Sequence, residues 1–465
     1  MLTIGSPGVA PPNCLGDQAP AIPVERQSVS HIAGFHHSSA ASRARRLPTV
    51  PIARGCRELM PDLSSMQAAA RISWIVFSKD SLTGAPRELR LVTACAMWPP
   101  SSQRTDAIQT AAAPDLDWDR VHRLAIRHRV VGLLHHGLRH ISYRPPDNIS
   151  AQIRARAFEL ARQNLLLAAE ALKLERLFAA ADLPIAFLKG TSLAVLAYGN
   201  CGIRHSKDID LLVDPELAVT AFSILEDAGY QRCNLRTACN DHLKAWMREA
   251  HHLTYVHSRS GTQVEVHWRL FRNQNLDPRL KHINARLSPS APDETGALED
   301  VLVYLCIHGA MHKWFRLKWL ADVAALLAHT SEAARESLYH TAAARGAGPY
   351  VGQALLLCHG LLGVSVSPKL LVDLKADPLL RRLERIALDK ITMATYEGEP
   401  ETWSLRARLI STAHNFMLPG WSYRRAELRM LFTSLEDLEQ FRLPRPLGFL
   451  YPLLRLPLWL QRKFR

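Results

Sequence analysis

The sequence has few cysteines, and no two of them lie close together in a metal-binding spacing. Its 465 residues include eight cysteines, which are scattered along the chain and form no Cys-x-x-Cys motif. A zinc knuckle and a disulfide framework both depend on cysteines at short, regular spacings. We therefore expect reduced thiols and a cytoplasmic protein rather than a disulfide-bonded one.

The first 82 residues lack the regular apolar spacing of a helix or a strand. Prolines interrupt this segment repeatedly, and serine, alanine and arginine fill the intervals. No apolar core of roughly 7–15 residues follows a basic start, so the segment does not match a secretory signal. We predict that residues 1–82 are a disordered N-terminal extension or one that is wrongly assigned to the protein.

Acidic residues are outnumbered by basic ones. The sequence has 57 Lys and Arg against 43 Asp and Glu, which gives a formal net charge of +14. This excess favours anionic partners such as nucleotides. The basic residues form no compact stripe with interleaved aromatic side chains, which argues against nucleic acid as the partner. The basic tail over residues 401–465 is rich in proline and aromatic residues, and we expect it to pack on the protein or to contact an anionic membrane surface weakly.

Two aspartates lie one residue apart in a short apolar segment, residues 207–213, which reads KDIDLLV. Because side chains alternate across a strand, Asp208 and Asp210 are expected on one face and Ile209 on the other. Neighbouring carboxylates repel each other unless a cation lies between them, and Mg²⁺ prefers such oxygen ligands. The segment thus indicates metal-assisted phosphoryl or nucleotidyl transfer. The alternative is a strand end with two solvated acidic side chains.

An apolar segment upstream ends at a glycine and is followed by hydroxyl residues. Residues 183–190 read LPIAFLKG, and Thr191 and Ser192 can begin a helix. A strand, a glycine turn and a helix N-terminus together direct backbone N–H groups and the positive helix dipole toward an anion. Lys189 adds positive charge at the same corner, and Arg204 can bind a phosphate through two parallel hydrogen bonds.

A third carboxylate lies in a later alternating segment, residues 263–268, which reads QVEVHW. Glu265 is expected on the face opposite Val264 and Val266. If this strand neighbours the aspartate strand, three carboxylates can hold two metal ions, which stabilise the attacking and leaving oxygens. We interpret His267 in the same segment as a core or pocket histidine rather than a ligand.

Taken together, these segments resemble the uncharacterised bacterial nucleotidyltransferase family of the DNA polymerase β-like superfamily. The motifs quoted above carry the resemblance, which extends upstream to residues 116–119 and downstream to residues 316–322. It covers about residues 83–330 of the chain. Because it begins only after the N-terminal segment, a second hypothesis places the start of translation at Met66.

The resemblance implies a set of site residues. The implied ligands of two Mg²⁺ ions are Asp208, Asp210 and Glu265. The residues implied to bind the NTP donor are Lys189, Gly190, Thr191, Ser192 and Arg204. The acceptor side of the cleft is expected at His308, Trp314 and Arg316, and the acceptor is a hydroxyl group on a saccharide, a small molecule or a protein. The family's usual glycine-serine or glycine-glycine step is Gly190-Thr191 here, which leaves the choice of nucleotide open.

The predicted fold class is α/β (α+β), a small mixed-sheet nucleotidyltransferase core embedded in a largely helical protein. Apolar residues recur at helical spacing over 87–98, 118–138 and 153–181. Asp322 is expected to pair with Lys318, one helical turn before it. After the N-terminal extension we expect a helical region over 83–180, the core over 181–275, a second helical region over 276–400 and the tail over 401–465.

Two other functions remain open. The segment from Gly190 to Ala194 nearly matches the nucleophile elbow of a serine hydrolase, with Ser192 as the nucleophile, but that reaction gives the three carboxylates no role. A nucleotidyltransferase fold can also be kept as an inert nucleotide-binding scaffold or sensor. His308 and His312 have a zinc-binding spacing, yet the glutamate of a metalloprotease helix is missing between them.

Overall fold

A computed structural model describes most of the chain after residue 83. The described residues are 84–113, 115–139, 141, 143, 145–235, 240–273, 275–276, 295–392 and 420–432, with 450, 454 and 457. The predicted N-terminal extension and most of the predicted tail lie outside the described residues.

Within the described ranges, five helices precede the first strand. They are α1 (Arg87–Ala96), α2 (Ser102–Ala111), α3 (Trp118–Arg127), α4 (Val131–Leu138) and α5 (Asp147–Ala180). Buried residues recur every three or four positions along α5, from Ile149 through Asn164 to Phe178. One stripe of this 34-residue helix therefore faces the protein, as expected for an amphipathic helix.

The predicted helix over residues 118–138 consists of two helices in the structure. α3 ends at Arg127 and α4 begins at Val131, and Arg129 between them has a left-handed backbone with φ 57°. The amide of Val130 donates a hydrogen bond to the carbonyl of Ala125 (2.9 Å), which closes the end of α3. Apolar spacing could not reveal this break, because the apolar positions continue across both helices.

A five-stranded mixed sheet follows, with the strand order β1-β2-β5-β4-β3. The strands are β1 (Ile185–Phe187), β2 (Ile209–Val213), β3 (Tyr230–Arg232), β4 (His252–His257) and β5 (Gln263–His267). The helices between them in the chain are α6 (Thr191–Tyr198), α7 (Ala218–Asp227) and α8 (Asn240–Glu249). β2 and β5 run parallel, and the other neighbouring strands are antiparallel. The parallel pair brings together two segments that are distant in sequence.

The two faces of the sheet differ in chemistry. Leu211, Leu253 and Val264 are fully buried on one face. Asp210 and Glu265 lie on the other face, because successive side chains of a strand point to opposite sides. The helices α6 and α7 both contact the long helix α5, which belongs to the same layered core.

Seven helices follow the sheet in the described ranges. They are α9 (Thr295–Met311), α10 (Leu317–Leu327), α11 (Glu332–Ala344), α12 (Gly348–Leu362), α13 (Pro368–Ala376), α14 (Pro378–Thr392) and α15 (Trp421–Phe432). α12 is central, since it is almost wholly buried and contacts α9, α10, α11 and α14. None of the helices described is long and apolar enough to cross a bilayer. The predicted fold class, a mixed sheet within a mainly helical protein, is confirmed.

Candidate active site

Two of the predicted carboxylates lie side by side on neighbouring strands. Asp210 of β2 and Glu265 of β5 are register partners across the parallel pair. Asp208 lies just before the first residue of β2 and is half-buried. The apolar residues between the acids anchor both strands in the core, so the alternation of side chains directs the carboxylates to one face.

Asp210 is almost fully buried, with 1% of its side chain exposed. Its Oδ1 lies 2.9 Å from Nζ of Lys189 and 3.3 Å from Nε2 of His267. Its Oδ2 is buried and has no hydrogen-bond partner among the described residues. Burial opposes ionisation of this carboxyl, but the charge of Lys189 and the hydrogen bond from His267 outweigh it and hold the pKa of Asp210 well below its usual value.

The two other carboxylates have different electrostatic surroundings. Burial and the neighbouring charge of Asp210 raise the pKa of Asp208 to about 6, against the opposing charge of Lys189. For Glu265, burial is outweighed by the hydrogen bond from His267, and the pKa is lowered. The Nε2 atom of His267 lies 3.4 Å from Oε2 of Glu265. Negative charge is therefore concentrated at this face and only partly neutralised by Lys189 and His267.

The predicted glycine turn lies directly beside the aspartate strand. Gly190 follows β1 and precedes α6, with φ +75° and ψ −138°, a conformation that L-residues rarely adopt. A Cβ atom at this position would lie 3.4 Å from the carbonyl oxygen of Asp208. Thr191 and Ser192 form the first turn of α6 and are buried. The N-terminus of α6 thus lies next to the backbone of Asp208, and its binding of a triphosphate stays a prediction.

Arg204 is buried behind this turn. Its Nε lies 2.9 Å from Oδ1 of Asp322, and its Nη1 donates to the carbonyl of Gly190 (3.2 Å). Tyr198 also donates to Oδ1 of Asp322 (3.0 Å). The predicted pairing of Asp322 with Lys318 is wrong, because Arg204 and Tyr198 bind this carboxylate while Lys318 donates to the carbonyl of His205 (2.9 Å). In this arrangement Arg204 supports the glycine turn, and its contact with a phosphate stays a prediction.

The three predicted acceptor residues occupy different surroundings. His308 on α9 is half-buried, and burial together with the charge of Lys189 lowers its pKa. Trp314 is fully buried, and its indole Nε1 donates to Oε1 of Gln353 (3.1 Å). Arg316 is buried and donates to the carbonyl of Arg127 (3.2 Å). Trp314 and Arg316 are thus buried and donate hydrogen bonds to residues of other helices, and a contact of any of the three residues with an acceptor stays a prediction.

Ser192, the nucleophile of the hydrolase hypothesis, is 7% exposed. Among the hydrogen bonds of the described residues, none joins Ser192 to a histidine or a carboxylate. The geometry therefore gives no base that would activate this hydroxyl, and the hydrolase function stays a prediction.

Two residues near the carboxylates were not among the predicted site residues. His267 lies two residues after Glu265 on the same strand face, so the alternation of side chains could have identified it. Tyr304 of α9 is buried, and the charges of Lys189, Asp210 and Glu265 act on its pKa. Burial is the main cause that raises this pKa. No sequence signal could have identified Tyr304, because a helix far along the chain brings it to the sheet.

Comparison with known proteins identifies one matching family. The family model described as an uncharacterised nucleotidyltransferase matches residues 114–363, which is more than half of the chain. The matched range includes the whole sheet, the glycine turn and all three carboxylates. It begins and ends about thirty residues later than the resemblance predicted from the sequence. None of the curated proteins and none of the solved structures matches the chain significantly.

Proposed function

The chain belongs to the family of uncharacterised nucleotidyltransferases, and from this premise we propose that it is a Mg²⁺-dependent enzyme that transfers a nucleoside monophosphate from an NTP to a hydroxyl acceptor. The observation that supports this most is the pairing of Asp210 with Glu265 across two parallel strands. Asp208 precedes Asp210 by two residues, which gives three carboxylates at one face. Such a group of oxygen ligands is typical of Mg²⁺ sites in phosphoryl chemistry.

The residues of this face fit a divalent cation. The buried Oδ2 of Asp210 lacks a partner among the described residues, and an unpaired buried carboxylate oxygen destabilises the fold unless a ligand binds it. Asp208 and Glu265 extend the same set of oxygen donors. We propose that these three residues hold two ions, which when bound neutralise phosphate charge and polarise the reacting oxygens.

The remaining residues of the site act on the nucleotide. Lys189 keeps 18% of its side chain exposed beside Asp210, where its charge would stabilise negative charge on the leaving pyrophosphate. The N-terminus of α6, with Thr191 and Ser192, supplies amide donors for the triphosphate. Arg204 acts on the nucleotide indirectly, because its hydrogen bond to the carbonyl of Gly190 fixes the turn in a shape that receives phosphates.

We place the acceptor on the α9 side of the carboxylates. His308 and Tyr304 lie on this helix, and the charges of Lys189 and Asp210 act on the pKa of both. An uncharged imidazole and a phenol can donate or accept hydrogen bonds to a hydroxyl group. This chemistry agrees with a saccharide, a small molecule or a protein hydroxyl as acceptor.

A thermal-shift panel tests the proposal. The full-length protein is heated with ATP, GTP, CTP or UTP, each with and without Mg²⁺, because a ligand that binds the folded state raises the melting temperature. We expect a Mg²⁺-dependent rise with one nucleotide, which is lost in the Asp208→Asn, Asp210→Asn double variant.

The matched control is Asp227→Asn, which removes an exposed carboxylate at the end of α7 and should keep the rise. A folded wild-type protein that responds to no nucleotide would contradict the proposal and favour an inert scaffold. The responding nucleotide, labelled at its α-phosphate, then serves as the donor in a screen of hydroxyl acceptors.

A further inference from the structure

Three histidines lie together at the end of the sheet next to the carboxylates. His251 directly precedes β4, His252 begins it, and His267 ends β5. His252 and His267 are register partners across the antiparallel pair. One ring nitrogen from each histidine lies within 4.8 Å of those of the other two. Three imidazoles at this separation are a common ligand set for zinc.

The distance between two of these rings suits a shared metal ion. Nδ1 of His252 lies 3.3 Å from Nε2 of His251. Two nitrogens bound to one tetrahedral zinc at about 2.0–2.1 Å are separated by about 3.3–3.4 Å. A hydrogen bond between the rings gives the same distance, so this observation needs a second one beside it.

An unpartnered ring nitrogen provides the second observation. Nδ1 of His267 is buried and has no hydrogen-bond partner among the described residues, and 4% of this side chain is exposed. Nδ1 of His251 is also buried without a partner among them, but the 3.3 Å distance involves Nε2 of that ring, so this atom does not count as a ligand. Buried polar atoms of this kind normally bind something, because leaving them unpaired costs free energy.

His267 also has the environment of a metal-binding histidine. Its Nε2 lies 3.3 Å from Asp210 and 3.4 Å from Glu265, and since a carboxylate only accepts hydrogen bonds, Nε2 carries a proton. Metal-ligating histidines typically donate their second ring N–H to a carboxylate in this way.

The backbone around the cluster is held in place. The amide of Trp268 donates to the carbonyl of His251 (3.1 Å), which joins the ends of β4 and β5. The guanidinium of Arg269 donates to the carbonyls of Met247 and Ala250 at the end of α8. The positive charges of Arg269 and Lys189 oppose a cation here, whereas the negative charges of Asp210 and Glu265 favour one. The backbone hydrogen bonds thus fix the positions of the three rings, and charges of both signs surround them.

We propose that His251, His252 and His267 form a second metal site, which binds Zn²⁺ or a similar transition ion beside the carboxylate site. Imidazole nitrogens select such ions, whereas Mg²⁺ prefers the oxygens of the neighbouring carboxylates. The fourth ligand would be water or a substrate oxygen. The ion would orient His267 and, through its Nε2, the carboxylates Asp210 and Glu265. The site does not depend on the proposed nucleotidyl transfer, because it is defined by nitrogen ligands alone.

Titration with Co²⁺ alone tests this site without nucleotide. Full-length protein is stripped of metal with a chelator, and the visible absorption of bound Co²⁺ is followed. We expect one Co²⁺ per chain with absorption well above that of the aqueous ion, and its complete displacement by Zn²⁺; Co²⁺ at the carboxylates has oxygen ligands and adds little absorption. His252→Gln should weaken Co²⁺ binding at least about tenfold, since even the loss of a residue that only supports a ligand has an effect of that size.

Two control variants separate this site from other metal-binding positions. His340→Gln removes a histidine whose side chain is 65% exposed elsewhere in the protein, and should leave the titration unchanged. Asp208→Asn removes a carboxylate of the neighbouring site and should keep the Co²⁺ absorption. If His252→Gln does not fold, as judged by circular dichroism, His251→Gln replaces it with the same expectation.

Three results would overturn the proposal. The first is a wild-type protein that binds Co²⁺ with the absorption of the aqueous ion. Another is unchanged affinity in a folded histidine variant. The third is binding that Asp208→Asn abolishes and His252→Gln keeps, which would assign the ion to the carboxylates. Because no nucleotide is present, a failed nucleotidyl-transfer assay leaves each of these results interpretable.

Discussion

The two faces of the five-stranded sheet have opposite chemistry although the same strands form both. On one face, Leu211, Leu253 and Val264 are fully buried in an apolar core. On the other, Asp210 and Glu265 concentrate negative charge, and polar atoms such as Oδ2 of Asp210 remain unpaired among the described residues. A step of one residue along a strand therefore separates a position in the apolar core from one that we propose binds a metal ion.

This difference indicates that the apolar face contributes stability, whereas the polar face is the one that we propose binds the ligand. Apolar burial contributes stability in proportion to the area removed from water, whereas close carboxylates destabilise the protein until a cation lies between them. Substitutions on the apolar face should lower the free energy of unfolding and leave ligand binding intact. Substitutions on the polar face should weaken ligand binding and should not lower the free energy of unfolding.

Asp322→Asn should lower both stability and nucleotide binding, because it removes the charge partner of the buried Arg204, which holds the glycine turn. Arg204 would remain buried without its carboxylate, and an uncompensated buried charge costs about 3–5 kcal/mol. Both stability and nucleotide binding should fall, since Arg204 also holds Gly190. Urea denaturation measures the first effect and nucleotide thermal shift the second.

The control for this variant is Asp115→Asn, which disrupts the exposed ion pair with Arg87. Its effect on unfolding should be much smaller, because solvent screens such pairs. If Asp322→Asn is as stable as Asp115→Asn, the buried pair does not support the site.

Leu253→Ala should separate stability from binding. The side chain is fully buried on the apolar face, and such truncations cost about 2–5 kcal/mol from lost transfer energy and the cavity left behind. Below its lowered melting temperature, the variant should keep the Mg²⁺-dependent nucleotide response. Leu212→Ala changes a partly buried residue on the polar face and should destabilise the protein less. A Leu253→Ala variant that folds but fails to bind nucleotide would contradict this separation.

Gly190→Ala tests whether the glycine turn is a site feature. Its φ of +75° with ψ −138° suits glycine alone, so alanine should cost about 1–3 kcal/mol and distort the turn beside Asp208. Gly199→Ala is the matched control, because φ +65° and ψ 9° form an ordinary left-handed cap with no atom near the added Cβ. It should cost about 1 kcal/mol and keep nucleotide binding. Equal nucleotide affinity in the two variants would remove the turn from the site.

Mg²⁺ alone should stabilise the wild-type protein slightly, because it relieves repulsion on the polar face. At a concentration ten times its Kd, the ion adds about 1.4 kcal/mol to the free energy of unfolding. Chelation should reverse the rise in melting temperature, and Asp210→Asn should abolish it. Asp227→Asn should retain it, since that carboxylate is exposed on α7. An equal rise in the wild type and in Asp210→Asn would indicate binding elsewhere.

Much of the polar face could be predicted from the sequence, because the rule that defines it is local. Alternation of side chains along two short segments predicts the shared face of Asp208 and Asp210 and the orientation of Glu265. The same rule could have identified His267, which we interpret from the sequence as a core or pocket histidine rather than a ligand, because a lone histidine carries little information. The mixed fold also follows from local patterns, since strand and helix periodicities differ.

The parts that could not be predicted depend on contacts between distant segments. Arg204 and Asp322 lie 118 residues apart, and helical spacing favoured the nearer partner Lys318 instead. Trp314 fills the space above Gly309, where a Cβ would lie 2.2 Å from the indole, so its burial follows from helix packing. The left-handed backbone of Arg129 is set by the hydrogen bonds that end α3. A single sequence contains no signal for any of these arrangements.

We propose that carboxylates from two parallel strands jointly hold the Mg²⁺–nucleotide complex, and a double-mutant cycle measures whether Asp210 and Glu265 act together in this way. Isothermal titration would measure nucleotide affinity with Mg²⁺ for the wild type, Asp210→Asn, Glu265→Gln and the double variant. We predict that each single variant loses most of the Mg²⁺-dependent affinity and that the double variant loses little more. The coupling energy should then lie at about 0.5–3 kcal/mol, as for residues that share a ligand. Additive losses, or single variants that keep the Mg²⁺-dependent affinity of the wild type, would contradict the claim.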